Sequence, residues 1–263
     1  WTTYPLTAHP YEPAFVTGDA VVRVSQALEA AGFSGIGFTD HPAPPTRWLQ
    51  AGGHDALDPL VALGFCAAAT TTLRLIPNIY VLPYRSPYLT AKAAATLDAL
   101  SGGRFTLAVA AGYLRGEYQA LGVDFEARND RFDEALEVIT AVWETDDYRG
   151  LSVNPKPSPR PPIWIGGNSR LSRRRVARLG DGWSPFPAPR SLARTAKTPP
   201  LETVEDLRGM LDELWELVTG EGRDPADIDV SFGPPGVRPI VDEDFDAEAH
   251  LAEAQRKLVE LSR

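Results

Sequence analysis

The stretch that decides the fold runs from Leu73 to Gly112 and reads LRLIPNIYVLPYRSPYLTAKAAATLDALSGGRFTLAVAAG. Its beginning, 73–81, is apolar and compatible with a strand. Serine and proline at 86–87 are typical of a helix start, with an N-cap side chain followed by proline at the first helical position. Two glycines at 102–103 predict the helix end. Residues 105–110 predict a second apolar strand.

The order strand, helix, strand predicts a right-handed βαβ unit with parallel strands. The same alternation continues on both sides of this unit and favours one parallel sheet. Further strands are predicted at 35–38, 163–165, 182–186 and 228–232. Further helices are predicted to begin at Asp19, Asp58, Asp130, Ser169, Thr203 and Ala247.

The chain length of 263 residues suits one (β/α)8 barrel, which needs about 250 residues. Only part of such a barrel is evident, because closure requires one strand before the first helix and one after the last. Residues 1–6 are at best the tail of the former. We therefore predict a single (β/α)8 TIM barrel domain over residues 1–263, with terminal strands or loops missing from the chain.

Composition and charge argue against several classes of protein. A net charge of −9 argues against nucleic-acid binding and against an anionic membrane surface. No apolar run approaches the ~18 residues of a transmembrane helix. The single cysteine, Cys66, excludes a disulfide framework and is simplest as a small core residue. The first residues lack the pattern of a signal peptide, so we predict a cytoplasmic protein.

Asp40 and His41 follow directly after a predicted strand. In a parallel barrel the carboxyl ends of the strands form the catalytic face. His41 can accept or donate a proton near neutral pH. The alternative is that Asp40 only caps a turn and that His41 only pairs with it.

Gly166-Gly167-Asn168-Ser169 ends a predicted strand and opens a helix. Glycine N–H groups at the start of a helix can bind an anion such as phosphate. The alternative is a tight turn with a serine cap. The arginines that follow, Arg170 and 173–175, are predicted to lie mostly on a solvated helix face, with Arg170 or Arg174 in reach of a phosphate.

Other polar residues give weaker signals. His54, Asp55 and Asp58 have poor spacing for zinc, so we predict no metal site. Glu117 and Tyr118 follow the second strand of the central stretch and could enter a site, although packing or surface exposure is the simpler interpretation of Glu117. Pro77 and Asn78 interrupt the first strand, where proline is unusual. They predict a bulge at a point where a ligand approaches.

Several ordered blocks together resemble the bacterial-luciferase-like monooxygenase family and its enzymes that depend on the deazaflavin coenzyme F420. The blocks lie between Gly32 and Trp183, and the resemblance is weak beyond Trp183. They read GFSGIGFTDHP, LPYRSPYLTAKAAATLDALSGGRFTLAVAAGY with GEYQALGVDF, RNDRFDEALEVITAVW, and NPKPSPRPPIWIGGNS with ARLGDGW.

The resemblance implies a (β/α)8 barrel with F420, or alternatively FMN, at the carboxyl ends of its strands. It implies a non-proline cis peptide at Ile79–Tyr80 behind the cofactor ring. It favours phosphate binding by the turn at 166–169 over a tight turn without a ligand, because both cofactors carry a phosphate. It assigns Asp40, His41 and Tyr113 to catalysis. It assigns a second set to cofactor binding, namely Asn78, Ile79, Tyr80, Ala111, Gly112, Gly166, Gly167, Asn168 and Ser169.

We therefore predict an F420-dependent oxidoreductase that transfers hydride to or from a small organic substrate. An FMN-dependent monooxygenase, or a non-catalytic flavin-binding barrel of the same family, is the alternative. A sugar-phosphate oxidase is disfavoured, because Tyr113 stands where those members carry an acid. A barrel enzyme acting on sugar phosphates is disfavoured by the LSGGR block. The resemblance also implies a homodimer that buries part of the helix at 58–69.

Overall fold

The computed structural model describes residues 1–6, 9–232 and 246–261, over which helices and strands alternate. The helices are α1 (Gly18–Ala30), α2 (Thr46–Gln50), α3 (Pro59–Ala69), α4 (Pro87–Ser101), α5 (Arg115–Ala120), α6 (Arg128–Glu144), α7 (Arg170–Leu179), α8 (Arg190–Ala196), α9 (Val204–Gly220) and α10 (Ala247–Leu261). The strands are β1 (Thr2–Thr3), β2 (Gly35–Phe38), β3 (Arg74–Pro77), β4 (Tyr80–Val81), β5 (Leu107–Ala110), β6 (Ile163–Gly166), β7 (Gly182–Ser184) and β8 (Asp229–Val230).

All paired strands of the described chain run parallel, in sequence order within two sheets, β1–β3 and β4–β8. The two sheets meet on both sides. Leu75 of β3 forms a parallel bridge with Phe105, just before β5. On the other side, Trp1 Nε1 donates a hydrogen bond to Ser231 Oγ at 2.7 Å, just after β8. The outermost strands of the two sheets therefore lie near each other, as barrel closure requires.

Strand boundaries differ from the prediction in three places. The strand predicted at 73–81 is broken into β3 and β4, with Asn78 and Ile79 between them. The strands predicted at 182–186 and 228–232 are shorter than expected. The strand expected before the first helix is present as β1. The strand expected after the last helix lies outside the described residues.

Strand residues divide into two layers, because side chains alternate across a sheet. The outward set packs with the helices in the main core and includes Ile36, Leu75, Leu107, Val109, Ile163, Ile165 and Trp183. The inward set is a separate cluster, in which Ile76, Ala108 and Trp164 are joined by Trp1 and Ile79. This second cluster fills the space enclosed by the strands and supports the carboxyl ends from below.

Helix starts follow the predicted chemistry at Asp58, Ser169 and Thr203. In contrast, α6 begins at Arg128 and not at Asp130, and Ser86 makes no side-chain cap hydrogen bond. Asp58 caps α3 by accepting hydrogen bonds from the N–H groups of Leu60 and Val61 at 3.0 and 3.1 Å. The cap of α1 is Thr17, which accepts from Ala20 N at 3.1 Å. The prediction of Asp19 was wrong by two residues, because threonine and aspartate are both good caps and Asp19 lies in the first turn.

The LSGGR block has a physical explanation in the guanidinium of Arg104. Its Nη2 donates to the carbonyls of Ala67 and Thr70 at 2.9 and 3.0 Å, and its Nη1 donates to Leu73 O at 2.8 Å. Its Nε donates to Ser101 O at 2.8 Å. These carbonyls lie at the end of α3, before β3 and at the end of α4. One side chain therefore satisfies groups that the helix ends leave without partners.

The arginines of α7 were predicted as mostly solvated, and this was wrong for two of them. Arg175 donates to both carboxylate oxygens of Asp133 on α6, at 2.6 and 3.0 Å. Arg173 Nε donates to Glu213 on α9 at 2.8 Å. Both arginines are buried, so they fix α7 between its neighbouring helices.

Candidate active site

Asp40 follows β2 at the carboxyl end of the strands and is buried. Its two oxygens accept hydrogen bonds from Arg85 Nη1 and Nη2 at 2.7 and 2.8 Å, and Oδ2 also accepts from Val81 N at 2.8 Å. Burial alone would lower the pKa of Arg85, but the hydrogen bonds to Asp40 outweigh burial and raise that pKa. Asp40 therefore fixes β4 and the segment after it to the loop that follows β2.

His41 pairs with a buried acid, Glu117, for which the sequence favoured packing or surface exposure over a place in a site. Its Nδ1 lies 3.2 Å from Glu117 Oε2, on α5. Glu117 also accepts from Tyr84 Oη at 2.9 Å and from Ala43 N at 3.2 Å. A fully buried carboxylate is stable only with such partners. Glu117 therefore connects the segments that follow β2, β4 and β5.

The hydrogen-bond network assigns the atoms of His41 to different roles. Burial and the neighbouring Glu117 raise the pKa of Tyr84, so its hydroxyl is the donor in their hydrogen bond. The N–H of Ala43 can only donate, so Glu117 acts as the acceptor throughout. Nδ1 of His41 is then the donor to Glu117. Among the described residues Nε2 has no hydrogen-bond partner, so it is the atom free for chemistry.

Aromatic side chains surround the His41 imidazole. The ring centroids of Trp48, His54 and Tyr113 lie 4.6, 5.0 and 6.5 Å from its own. Burial lowers the pKa of His54, and burial together with Glu117 raises the pKa of Tyr113. Both neighbours are thereby favoured in their neutral forms. The imidazole lies in a shielded but accessible place, with 11% of its side chain exposed.

Partly exposed, uncharged residues follow the ends of β3 and β5. Asn78, Ile79, Ala111 and Gly112 keep partial exposure, whereas the preceding strand residues are largely buried. Gly112 has a φ of +69°, and a Cβ there would lie 2.6 Å from Val81 Cγ1, so only glycine is accommodated. We call these four residues the floor. Gly112 directly precedes Tyr113, whose ring centroid lies 6.5 Å from that of His41, so the floor adjoins the His41 site.

The floor differs from the expectation in two details. The non-proline cis peptide is Asn78–Ile79, one residue before the predicted Ile79–Tyr80 bond. Tyr80 itself belongs to the main core, and the guanidinium carbon of Arg85 lies 4.3 Å from its ring centroid. The Tyr80 side chain therefore faces away from the floor, so the assignment of this side chain to cofactor binding is not supported.

The Gly166–Ser169 turn has the predicted local structure. Ser169 caps α7 by accepting from Ser172 N at 3.1 Å. Gly167 has a φ of +104°, which disfavours any side chain there. A Cβ on Gly166 would lie 2.2 Å from Ile79 Cδ1, so the turn packs directly against the floor.

Two N–H groups of the turn are already paired with residues outside α7. Gly167 N donates to Ser184 O at 3.2 Å, and Asn168 N donates to Thr198 Oγ1 at 3.2 Å. The segment after α8 therefore covers this part of the turn. For the N–H groups of Ser169, Arg170 and Leu171, we find no acceptor among the described residues. Any phosphate at this turn would be bound there, at its outer side.

Sequence reasoning missed Arg85, which holds Asp40 in place, and gave too little weight to Glu117, which holds His41 in place. Glu117 lies three residues after Leu114 in a short helix of only six residues, where no apolar period marks a buried face. Arg85 lies in the segment before α4. The only sequence signal for either was its position shortly after a strand that reaches the catalytic face.

A cleft of about 910 Å³ opens at the opposite end of the strands. It is lined by the proline-rich segment 155–162 and by charged residues such as Arg74, Asp181 and Asp229. These residues precede or begin their strands. Because parallel barrels place their chemistry at the carboxyl ends, this cleft is separate from the His41 site.

The parallel strands bring buried polar side chains together at their carboxyl ends, which is where parallel barrels bind their ligands. The family model described as luciferase-like monooxygenase matches residues 2–260, so the chain belongs to this family. This confirms the resemblance of the sequence blocks. It also confirms the predicted (β/α)8 class, because the solved relatives share the fold.

Two relatives illustrate the similarity in sequence. An FMNH2-dependent dimethylsulfone monooxygenase of Pseudomonas fluorescens (strain Pf0-1) is 33% identical over 172 residues, which are 60% of this chain and 45% of that protein. An uncharacterized protein of Mycobacterium tuberculosis (strain ATCC 25618 / H37Rv) is 30% identical over 194 residues, 66% of this chain and 67% of that protein. The matched region thus spans less than half of the dimethylsulfone monooxygenase.

Two solved structures illustrate the similarity in fold. A monooxygenase from Streptomyces bottropensis superposes with a TM-score of 0.69 and 21% identity, covering 99% of this chain and 78% of that one. An F420-dependent secondary alcohol dehydrogenase in complex with an F420–acetone adduct gives a TM-score of 0.67 and 18% identity, covering 90% and 77%. Within the described residues no helix has the length and apolarity needed to cross a membrane.

Proposed function

We propose that this chain is an oxidoreductase that uses coenzyme F420 for hydride transfer to or from a small organic substrate. The observation that carries the proposal is the His41–Glu117 pair, at 3.2 Å, beside the floor at the carboxyl ends of the strands. A proton-handling group next to a place for a flat ring is what such a transfer requires.

The floor suits a flat ring because its residues are uncharged and partly exposed. The ring would lie on Asn78, Ile79, Ala111 and Gly112. Val81 leaves no space for a Cβ at Gly112, so this part of the floor stays flat. The outer N–H groups of the Gly166–Ser169 turn would bind the phosphate at the positive end of α7. When bound, the deazaflavin supplies a carbon that donates or accepts hydride.

The residues of the chain supply the proton and the geometry. His41 Nε2 would take the proton of a substrate hydroxyl as hydride leaves the carbon that bears it, or would give a proton to a carbonyl oxygen as hydride reaches the carbonyl carbon. Glu117 holds the imidazole by accepting the hydrogen bond of Nδ1. Asp40 is a positioning residue, because its oxygens bond to Arg85 and Val81. Tyr113 lies within reach of a substrate next to His41.

FMN is the second candidate for the cofactor. The dimethylsulfone monooxygenase, which is 33% identical over 172 residues, depends on FMNH2. The floor and the outer side of the turn would serve a flavin as well as a deazaflavin. A non-catalytic barrel of the family is disfavoured, because a buried Glu117–His41 pair costs stability that a binding protein need not retain.

Titration of the purified protein with F420 and with FMN tests the proposal. We expect saturable quenching of F420 fluorescence with one equivalent bound per chain, and weaker binding of FMN. Riboflavin, which has the FMN ring but no phosphate, is the control for binding through the ring alone. Tight FMN binding without F420 binding would assign the chain to the second candidate. Binding of neither would refute a cofactor-dependent oxidoreductase.

We also propose that the chain forms a homodimer through α3. Val61 and Phe65 on this helix are 66% and 49% exposed, and Leu89 on the adjoining α4 is 69% exposed. These residues make an apolar surface that a second copy could cover. Phe65→Glu should therefore produce a monomer by light scattering at micromolar concentration. Leu100→Glu, which alters another exposed leucine, should leave the mass unchanged. A monomeric parent protein would contradict the proposal.

A further inference from the structure

Three cations converge on one buried ring at the carboxyl face. The guanidinium carbons of Arg115 and Arg128 lie 4.3 and 4.1 Å from the centroid of Phe125, and Lys197 Nζ lies 5.0 Å from it. Arg115 begins α5, Arg128 begins α6, and Lys197 follows α8. The whole chain has a net charge of −9, so three cations around one ring, which we call the cationic cluster, are a local concentration of positive charge that favours anion binding.

The cationic cluster is connected to the His41 site by stacked aromatic side chains. Phe125 lies 5.2 Å from Tyr118, and Tyr118 lies 4.7 Å from Tyr84, measured between ring centroids. Tyr84 in turn donates its hydroxyl to Glu117 at 2.9 Å. Two contacts between aromatic rings and one hydrogen bond therefore link the cationic cluster to Glu117, the acid that holds His41. One extended ligand can span this separation.

Lys197 also connects the cationic cluster to the predicted phosphate turn. It has a φ of +51°, an uncommon conformation for a residue with a side chain. The next residues cover the turn: Thr198 accepts from Asn168 N at 3.2 Å, and Pro199 O accepts from Asn168 Nδ2 at 3.1 Å. The segment 197–199 therefore pairs with the backbone and side chain of Asn168 in the turn and also brings the Lys197 ammonium near the turn.

A carboxylate of the chain itself occupies the cationic cluster. Glu126 forms a hydrogen bond with Arg115, and one of its oxygens lies 4.0 Å from Arg128 Nη1. These contacts with Arg115, together with Arg128 and Lys197, lower the pKa of Glu126. Asp124 is the other nearby acid, and its carboxylate accepts from Glu126 N at 2.9 Å. Because Glu126 is exposed, a ligand carboxylate can replace it without burying a charge.

We propose that Arg115, Arg128 and Lys197 bind a carboxylate-bearing tail of the cofactor. A carboxylate of that tail would take the place of the Glu126 carboxylate. The inference rests on the proposed function and deepens it, because it separates the two cofactor candidates. F420 carries carboxylates beyond its phosphate, whereas FMN carries a phosphate only. The cationic cluster therefore favours F420 and adds to whatever the ring and phosphate contribute.

The test compares affinities, measured by fluorescence, of F420 and of its ring fragment that lacks phosphate and carboxylates. Arg115→Gln and Lys197→Gln should each weaken F420 binding about threefold, and the double variant about tenfold. Glu126→Gln should tighten F420 binding, because it removes the competing carboxylate. None of these variants should change binding of the ring fragment.

Arg149→Gln is the matched control. Arg149 also has a positive φ, +55°, and its guanidinium carbon lies 5.0 Å from the Tyr148 ring, but it lies in a different part of the chain. This variant should bind F420 as the parent does. Equal losses for F420 and FMN would mean that the cationic cluster binds phosphate, and would overturn the carboxylate assignment. Unchanged F420 affinity in the double variant would overturn the inference altogether.

A separate probe keeps this inference distinct from the proposed function. Gamma-linked triglutamate, added without any flavin, should shift the NMR signals of the Arg115 and Arg128 side chains in the parent protein. The Arg128 shift should disappear in the Arg115→Gln/Lys197→Gln variant. If the parent binds neither cofactor but these shifts occur, the proposed function fails and the carboxylate site stands. Absence of shifts in the parent would refute the site.

Discussion

His41→Ala is expected to lower turnover by ~10²-fold or more, because it removes the group that exchanges a proton with the substrate. Cofactor affinity should stay within a few-fold of the parent, since His41 lies beside the floor and is held by Glu117, not by floor residues. Steady-state turnover with an accepted substrate and a cofactor titration measure the two effects separately. His9→Ala is the control, because His9 pairs with Asp55 at 2.8 Å and takes no part in the site.

Glu117→Gln tests the same pair from the other partner. The amide keeps one oxygen acceptor but places an NH2 donor where the carboxylate has its second acceptor oxygen. We expect a loss of about tenfold in kcat with little change in KM, because the imidazole is no longer held by the same hydrogen bonds. A purely structural role for Glu117 would lower the free energy of unfolding and leave kcat of the folded protein unchanged. Full activity of His41→Ala, or an unchanged kcat in Glu117→Gln, would remove the main support for the proposed chemistry.

Arg104→Ala should have the largest effect on stability, a loss of about 2–4 kcal/mol in the free energy of unfolding. The substitution leaves the carbonyls of Ala67, Thr70 and Leu73 without their charged donor. Arg104→Lys should recover only part of this loss, because an ammonium cannot reach all of these carbonyls from one position. Urea unfolding followed by circular dichroism measures the difference.

Arg178→Ala provides the comparison for an ordinary surface arginine. Arg178 lies 3.7 Å from Glu137 and is 54% exposed, so its removal should cost less than about 1 kcal/mol. If Arg104→Ala were no more destabilising than Arg178→Ala, the hydrogen bonds of Arg104 would not explain the LSGGR block. The block would then need an explanation outside folding stability.

Local signals allowed most of the fold to be predicted. Glycine at 102 adopts the left-handed conformation expected of a helix end, with a φ of +70°. Thr203 and Asp206 form the predicted capping box. The strands that flank α4 are parallel, as the βαβ interpretation requires. Each of these features depends on residues that lie close together along the chain, which is why a single sequence reveals them.

Contacts between distant residues account for what was missed. Glu117 was read as a packing or surface residue, yet it bonds to His41, 76 residues away. The covering of the Gly166–Ser169 turn depends on Thr198, 30 residues after Asn168. Arg175 was predicted as solvated because its partner, Asp133, lies on another helix. Nothing in the local pattern distinguishes such residues from an ordinary polar surface.

The buried Asn168 has a consequence for how a ligand reaches the floor. Its side chain accepts from Phe186 N and donates to the carbonyls of Phe186 and Pro199, while its N–H donates to Thr198. Moving the 186–199 segment aside would break four hydrogen bonds at once, so this side of the barrel mouth is a fixed wall. The ring of Trp48, whose centroid lies 4.6 Å from that of His41, belongs to a helix of five residues without buried side chains. For a ligand bound as proposed, we therefore expect entry and departure on the α2 side, at rates that depend on how readily that short helix moves.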